Sequence, residues 1–197
     1  MAEGNLKNVL VFCASSESCN PVYHAAAARL GELLARAGQV VVYGGGAVGS
    51  MGALASAAIA AEGQVMGIQP RFMNELEWTH TEIQVLELVD DMQERMRRML
   101  AVADAIVALP GGSGTLEEVL DALTAKRLGE TGVPVVIVNQ GGFFDPLLAQ
   151  LERCIEERFM DERHRDMWQV VAKPEEVPAA LASAPAWSKD ALGFATL

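Results

Sequence analysis

Short runs rich in valine and isoleucine alternate along this chain with longer amphipathic segments, and this alternation strongly limits the folds available to it. The nearly continuous apolar runs are residues 9–13, 40–43, 65–68, 105–109 and 133–138. Each run is followed by Gly, Ser or Pro, and the segments between them predict helices over residues 21–37, 49–61, 91–103, 115–128 and 145–159. Apolar strands that alternate with helices are typical of a parallel sheet covered by helices on both faces.

The whole pattern predicts a single doubly wound α/β domain with a mainly parallel sheet over residues 1–185. A short strand at residues 168–171 and a helix at residues 174–182 would complete this domain. Residues 186–197 contain Ala, Trp, Ser and Lys without clear periodicity, and we expect them to form a C-terminal tail. A chain of 197 residues is long enough to bury a full core in one domain.

Charge and cysteine usage exclude several classes of function. The chain has 15 Lys and Arg against 26 Asp and Glu, which disfavours nucleic acid as the main partner but permits a small anion at a locally positive site. Three scattered cysteines do not suggest a disulfide framework and favour a reducing compartment. No run approaches the roughly 20 apolar residues of a membrane span, and no signal peptide is recognisable. We therefore expect a cytoplasmic protein that does not bind membranes.

Ligands of doubly wound sheets bind beyond the carboxyl ends of the strands, where the strand order reverses. This rule directs attention to three junctions between a predicted strand and the following loop: residues 13–16, 44–52 and 110–115. The last two are rich in glycine.

The first glycine loop has the spacing Gly44-x-Gly46-x-x-Gly49, which matches the dinucleotide-binding fingerprint. That fingerprint also requires a carboxylate about 20 residues further on, and the next predicted strand ends without one. Arg71 follows that strand instead, so a cofactor with a 2′-phosphate is not excluded. Two interpretations stay open: the loop faces a phosphate or ribose, or its glycines only permit a tight turn and close packing.

The second glycine loop runs from Pro110 to Thr115 and places three glycines and two hydroxyl groups before a predicted helix. Exposed backbone N–H groups and the positive end of the helix dipole favour a phosphate there. The loop is not a Walker motif, because it does not end in Gly-Lys-Ser/Thr. Thr115 and Glu118 also have the spacing of a capping box, with Thr115 as the N-cap. Both interpretations stay open.

Residues 95–98 place three arginines within four positions of an acidic chain. Arg95 and Arg98 lie three positions apart in a predicted helix, so we expect them on adjacent turns of one face. The segment is predicted to be a locally positive site for an anionic substrate. The alternative is that these arginines are solvated and balanced by Asp91 or Glu94. Methionines recur at helical spacing in the same segment, and we expect them to pack in the core.

Together these motifs resemble the Lonely Guy (LOG) family of phosphoribohydrolases, which release a free base from a nucleoside 5′-monophosphate. Residues 110–118 match the family motif Pro-Gly-Gly-x-Gly-Thr-x-x-Glu in full, and residues 92–99 resemble its Met-His-x-Arg-Lys-x-x-Met motif. Segments 11–16 and 43–46 are similar as well, so the resemblance covers roughly residues 8–160. It implies a Rossmann-like nucleotide-binding domain, a cytosolic homodimer with active sites at the subunit interface, and no metal or organic cofactor.

The resemblance also implies residue roles. Arg95 and Glu118 would be catalytic: Arg95 would contact the substrate and assist departure of the base. Glu118 would stabilise the positive charge that develops on the ribose, or orient water. Gly111 to Thr115 would hold the 5′-phosphate. The substrate-binding residues implied in this way are Gly45, Gly46, Glu77, Gly111, Gly112, Ser113, Gly114, Thr115, Glu117 and Thr124. The family's His and Lys are Gln93 and Met96 here, which leaves the identity of the base open.

The expected function is therefore hydrolysis of the N-glycosidic bond of AMP or of an N6-modified AMP, a cytokinin ribotide. The alternative is a carrier that binds a nucleotide or the molybdenum cofactor without turnover, and such a carrier would not need the pair Arg95 and Glu118. Sequences of this type are also labelled lysine decarboxylases. A pyridoxal phosphate enzyme needs a Schiff-base lysine in its pocket, and no lysine of this chain adjoins a glycine loop at a strand end.

Overall fold

The computed structural model describes residues 7–75, 78–188 and 190–195, and it confirms the predicted α/β fold. Within these residues, one parallel sheet contains the strands β1 Asn8–Phe12, β2 Val40–Tyr43, β3 Gln64–Pro70, β4 Val85–Val89, β5 Ala105–Ala108, β6 Val135–Val138 and β7 Gln169–Val171. The α-helices are α1 Pro21–Arg36, α2 Gly49–Ala60, α3 Arg71–Glu75, α4 Met92–Val102, α5 Ser113–Arg127, α6 Asp145–Glu156 and α7 Val177–Ser183.

The strand order is β4-β3-β2-β1-β5-β6-β7, and every neighbouring pair is parallel. The chain progresses outward from β1 to β4 on one side and from β5 to β7 on the other, so the order reverses between β1 and β5. Phe12 pairs with Ala108 at the carboxyl ends of these two strands. The loops that follow β1 and β5 therefore leave the same edge of the sheet side by side, at the position where doubly wound sheets bind ligands.

Apolar side chains cover both faces of the sheet, which explains the nearly continuous apolar runs. On one face, Leu30 of α1 and Leu54 of α2 pack against the strands. On the other face, Met99 of α4, Val119 of α5 and Phe144 fill the core. Each such fully buried side chain contributes roughly 1.5–3 kcal/mol of transfer free energy, so these two layers fix the positions of α4 and α5.

Strand β4 is absent from the sequence-based prediction, and its place at the edge of the sheet explains why. Val85 is 48% exposed, and Glu87 in the same strand carries a charge toward solvent. Glu87 interrupts the apolar sequence of β4, so this edge strand does not form a continuous apolar run. Strand β4 therefore cannot be recognised from continuous apolar runs.

The segment predicted to be a C-terminal tail packs against the far end of α5 where the structure describes it. Ala191 and Phe194 are buried. The indole Nε1 of Trp187 donates to the Lys126 carbonyl at 2.7 Å, and Arg127 donates to the Ala195 carbonyl. In the described part of the chain, no helix is long and apolar enough to cross a membrane.

Candidate active site

A cavity of about 400 Å³ lies at the reversal of strand order, within the size range typical of ligand pockets. It is lined by the loop after β1, by the start of α5 and by one face of α4. Its walls consist of Cys13, Ala14, Ser15, Ser16, Met51, Met73, Met92, Gln93, Arg95, Met96, Met99, Gly112, Ser113, Gly114, Thr115, Glu117, Glu118 and Asp121. The cavity thus lies at the edge of the sheet where the fold predicts a ligand to bind.

Arg95 lies in the wall of this cavity and is buried although it is charged. It is 5% exposed, and its Nε donates to the Ile68 carbonyl at 3.0 Å. Its Nη1 lies 3.3 Å from Oε1 of Glu118. These contacts give the buried guanidinium the charge partner that a buried ion requires. Arg95 is therefore preorganised at the bottom of the cavity.

Glu118 faces Arg95 from α5, and its side chain is only 13% exposed. Burial raises the pKa of the Glu118 carboxyl to about 7, and the neighbouring carboxylates of Glu117 and Asp121 add to this effect. The positive charge of Arg95 opposes the rise. Such perturbed groups in clefts are candidates for acid–base chemistry. Glu118 can therefore gain or lose a proton near neutral pH.

The capping-box interpretation of Thr115 and Glu118 is wrong. Helix α5 begins at Ser113 with Gly112 as its N-cap, so Thr115 lies inside the first turn. The Glu118 carboxylate turns toward Arg95 instead of folding back on the helix start. No described side chain caps α5, and its first N–H groups therefore stay available to a ligand.

The second glycine loop is shaped by two different requirements. A Cβ on Gly111 would collide with the Thr115 side chain, so this glycine allows the tight entry into α5. A Cβ on Gly112 or Gly114 would meet nothing within 4 Å, because both residues border the open cavity. Ser113 and Thr115 line the cavity as well. The structure therefore brings four of the five predicted phosphate-loop residues to the cavity, while Gly111 lies behind it.

A second cavity of about 260 Å³ adjoins the first on the other side of Arg95. The two share four lining residues: Ser15, Met51, Met73 and Arg95. Its remaining walls are Gly44, Gly46, Val48, Gln69 and Trp78. Gln69 is 1% exposed, and its Oε1 accepts a hydrogen bond from Thr79 Oγ1 at 2.5 Å. Apart from Arg95 and a few polar groups, this second cavity is lined by methionine, valine and tryptophan side chains.

The first glycine loop borders the second cavity and also makes a tight turn with close packing. Gly46 lines the second cavity, whereas Gly45 has a φ of +80° and its carbonyl accepts from the His80 N–H at 2.9 Å. Gly49 packs directly against the backbone of the loop after β1, where a Cβ would collide. Arg71 contacts Asp90 at 3.3 Å and lines neither cavity. The structure therefore gives no support to a dinucleotide site with a bound 2′-phosphate.

The prediction of a positive site built from three arginines is wrong, because only Arg95 lines a cavity. Arg98 donates through Nε to Glu87 of β4 at 2.5 Å, and Arg97 is exposed to solvent. Three of the predicted substrate-binding residues, Gly45, Gly111 and Thr124, line neither cavity. Thr124 is exposed on α5 outside the cavities of this chain, and its role stays a prediction. Glu77 lies outside the described residues.

Comparison with known proteins identifies the family. A family model described as "Possible lysine decarboxylase" matches residues 51–181. Cytokinin riboside 5′-monophosphate phosphoribohydrolase LOG7 of Arabidopsis thaliana is 37% identical over 163 residues, which are 83% of this chain and 75% of the relative. The similarly named enzyme LOG of Oryza sativa subsp. japonica is 36% identical over 159 residues, 81% of this chain and 66% of the relative. The chain belongs to the Lonely Guy (LOG) family.

Solved structures share the fold of this LOG-family chain. The molybdenum cofactor binding protein from Rippkaea orientalis has a TM-score of 0.69 at 24% identity and covers 90% of this chain and 96% of its own. The molybdenum cofactor carrier protein from Chlamydomonas reinhardtii has a TM-score of 0.68 at 20% identity, with coverages of 89% and 95%. At these identities the similarity establishes the fold and not the function.

The departures from the LOG motif, Gln93 and Met96, both line the larger cavity. The sequence analysis missed other lining residues. Asp121 lies one helical turn after Glu117, so its position could have been found from the α5 pattern. Met73 and Trp78 follow β3, and no motif signalled them. The methionines of α4 were predicted to be core residues, and only Met99 is fully buried.

The decarboxylase label of the family model does not fit this cavity. None of the described lysines lines it. Lys126 is buried behind α5, and its Nζ donates to the Val133 carbonyl at 2.8 Å. A Schiff base with pyridoxal phosphate would need a lysine at the cavity, so the residues present do not suit that cofactor. Within the described part of this LOG protein, no group of three His, Cys, Asp or Glu could hold a metal ion.

Proposed function

We propose that this LOG-family chain is a phosphoribohydrolase that cleaves the N-glycosidic bond of AMP or of an N6-modified AMP, releasing the base and ribose 5-phosphate. The observation that carries the proposal is the ion pair of Arg95 and Glu118, largely buried beside the uncapped start of α5. The names of the related plant proteins support a substrate of this class.

The shape of the two cavities supports one orientation of the nucleotide. The N–H groups at the start of α5, beside Gly112 and Gly114, suit the 5′-phosphate. The second cavity, lined by Val48 and Trp78, suits a flat base with an apolar substituent. Arg95 borders both cavities. The ribose would then lie between phosphate and base, with its anomeric carbon beside Arg95 and Glu118.

The chemistry requires a negative group at that carbon. When the C1′–N bond breaks, its electron pair leaves with the base and positive charge develops on the ribose. The Glu118 carboxylate would stabilise this charge and accept a proton from the water that attacks C1′. Arg95 would keep the carboxylate in position through the ion pair and contact the substrate as the base departs. The base leaves with a proton, so the reaction consumes one water and needs no other reactant.

The protein is also proposed to act as a homodimer. Leu120, Thr124 and Leu128 are spaced four residues apart and form one exposed stripe along α5, and the two leucines are 42% and 41% exposed. A second copy that covers this stripe would bury apolar surface and could bring Thr124 to the partner's cavity. Sedimentation of the wild type and of Leu120→Glu tests this assembly: a dimer that the substitution dissociates supports it, and a monomeric wild type contradicts it.

The proposed reaction is tested by incubating the purified protein with AMP, with isopentenyl-AMP and with adenosine, followed by chromatography of the products. Free base and ribose 5-phosphate are expected from the monophosphates. Adenosine lacks the phosphate that α5 would hold, so its cleavage should be at least about a hundredfold slower. If the protein binds the nucleotides but releases no base, the carrier function replaces the hydrolase.

A further inference from the structure

Cys19 and His24 form a pair of contacting side chains outside the Arg95–Glu118 site. The Sγ of Cys19 lies 3.1 Å from Nε2 of His24. The same Nε2 lies 3.0 Å from the backbone carbonyl of Ser16. Both contacts are made at the loop that connects β1 to α1.

The Ser16 carbonyl determines which atom of the pair carries the proton. A carbonyl oxygen can only accept a hydrogen bond, so Nε2 of His24 must carry the hydrogen that points to it. The Cys19 thiol lies 3.7 Å from the same carbonyl and donates to it. Once the thiol has lost its proton, the sulfur can in turn accept from Nε2–H. The imidazole is therefore placed to stabilise negative charge that develops on this sulfur.

The position of Cys19 in the chain strengthens this arrangement. It directly precedes Asn20, the N-cap of the 16-residue helix α1, and the first turn of α1 contains no acidic residue. The N-terminal end of a helix favours negative charge, and the carboxylate nearest along the chain, Glu17, lies in the exposed loop before the helix. Cys19 is also half-buried, so a small reagent can reach its sulfur. These features distinguish reactive cysteines from inert ones.

The other two cysteines lack this environment. Cys13 is 1% exposed, and burial raises the pKa of its thiol well above the usual range. Cys154 is half-buried like Cys19, but the contact recorded for its sulfur is with the Gln150 amide, at 3.7 Å. Cys154 is therefore a natural internal standard for thiol accessibility without an imidazole.

The loop that carries Cys19 also forms part of the larger cavity. Ser15 and Ser16 line that cavity. Gly49 at the start of α2 packs against their backbone so closely that no Cβ fits, and the Met51 N–H donates to the Ala14 carbonyl at 3.0 Å. A group attached to the Cys19 sulfur would remove the thiol's hydrogen bond to the Ser16 carbonyl and crowd this closely packed loop. A modification of Cys19 can therefore displace residues that line the cavity.

We propose that Cys19, activated by His24, is a modification site that forms a mixed disulfide with small disulfides such as oxidised glutathione, and that this modification weakens nucleotide binding in the adjoining cavity. The Cys19 thiol gives its proton to solvent and its sulfur attacks one sulfur of the disulfide. The S–S bond of the reagent breaks and a new S–S bond to Cys19 forms. The other sulfur of the reagent leaves as a thiolate. A reducing thiol reverses the step.

The reactivity of the pair is tested with an aromatic disulfide that releases a coloured thiolate. The wild type and Cys154→Ser are expected to show one fast equivalent that Cys19→Ser lacks. His24→Phe keeps a ring but removes the donor, so the Cys19 reaction should slow about tenfold relative to that of Cys154. If Cys19 reacts no faster than Cys154, or if His24→Phe leaves the ratio of the two rates unchanged, the pair is not activated and the proposal fails.

The link to the cavity rests on the proposed function and is tested separately. Glutathionylated wild type should bind AMP at least about fivefold more weakly than untreated protein, whereas Cys19→Ser given the same treatment should be unaffected. Unchanged AMP affinity after complete modification of Cys19 overturns the link. Failure of untreated protein to bind AMP overturns the proposed function instead, while the reaction rates still decide whether Cys19 is activated.

Discussion

The guanidinium of Arg95 occupies the space that a side chain at position 44 would need. A Cβ on Gly44 would collide with Nη2 of Arg95 and lie 3.1 Å from Cε of Met51. The glycine after β2 is therefore part of the proposed catalytic arrangement, because it leaves room for the arginine beside the loop.

Gly44→Ala should consequently lower the rate of base release by at least about tenfold. The methyl group would push Arg95 away from Glu118, and small misplacements of catalytic groups are costly. Gly132→Ala is the matched control, since a Cβ there meets nothing within 4 Å and the residue lies far from the cavity along the chain. Steady-state rates with AMP measure both variants, and equal rates for both would contradict the role assigned to Gly44.

Gly112 provides a test of the phosphate position that does not disturb folding. It is the N-cap of α5, where Asp and Asn are both favoured, and a Cβ there meets open space. Gly112→Asp should raise the KM for AMP about tenfold more than Gly112→Asn, because a carboxylate would repel the phosphate. Steady-state kinetics at low and high salt give the KM of each variant, and thermal unfolding gives its stability. Equal KM values would place the phosphate elsewhere.

The raised pKa of Glu118 predicts the pH dependence of the reaction. Only the ionised carboxylate can stabilise positive charge on the ribose, and burial holds its proton up to about pH 7. The kcat/KM for AMP should therefore fall as the pH is lowered through about 7, rather than near 4.5 where an ordinary glutamate titrates. Nucleotide itself titrates near pH 6, so ¹³C NMR of the Glu118 carboxyl in nucleotide-free protein provides an independent measurement. Titration near pH 4.5 would contradict the prediction.

Lys126 should limit the stability of the fold. Burial lowers the pKa of its ammonium group to about 8, so the unfolded chain holds this proton more tightly than the folded chain. The free energy of unfolding of the wild type should then rise with pH between about 8 and 10.5 through this group.

Lys126→Met removes the buried charge and should increase the free energy of unfolding at pH 7 by about 1 kcal/mol or more, with a smaller gain at pH 10. Lys173→Met is the control, because Lys173 is exposed. Denaturant unfolding at both pH values measures the effect. A loss of stability at pH 7 would show that the bond to Val133 outweighs the cost of burial.

How far the sequence predicts the fold depends on where each strand lies. The central strands β1, β2, β5 and β6 are buried on both faces and therefore read as apolar runs. Strand β4 lies at the edge and is interrupted by Glu87, so it does not stand out as an apolar run. The spacing of the arginines predicts that Arg98 shares the face of Arg95, and the structure instead pairs it with Glu87 of β4.

The candidate site could be predicted where its residues lie in local motifs at strand ends. The glycine loop before α5 was predicted from its own composition and spacing, whereas the roles of Arg95 and Glu118 were implied by the resemblance to the LOG family. Spacing alone could not decide between a capping box and an active-site glutamate, because that choice depends on where α5 begins. Trp78 and Gln69 reach the second cavity only because β3 lies beside β2, a neighbour relationship that no local pattern contains.

The most direct test of the central claim compares base release and nucleotide binding in Glu118→Gln. Gln keeps the size of the side chain but cannot carry the negative charge that the ribose requires. Glu130→Gln, which removes an exposed carboxylate just beyond α5, is the control. Glu118→Gln is expected to bind AMP within a few-fold of the wild type while kcat falls by at least about a hundredfold. Base release by Glu118→Gln at the rate of the wild type would contradict the account.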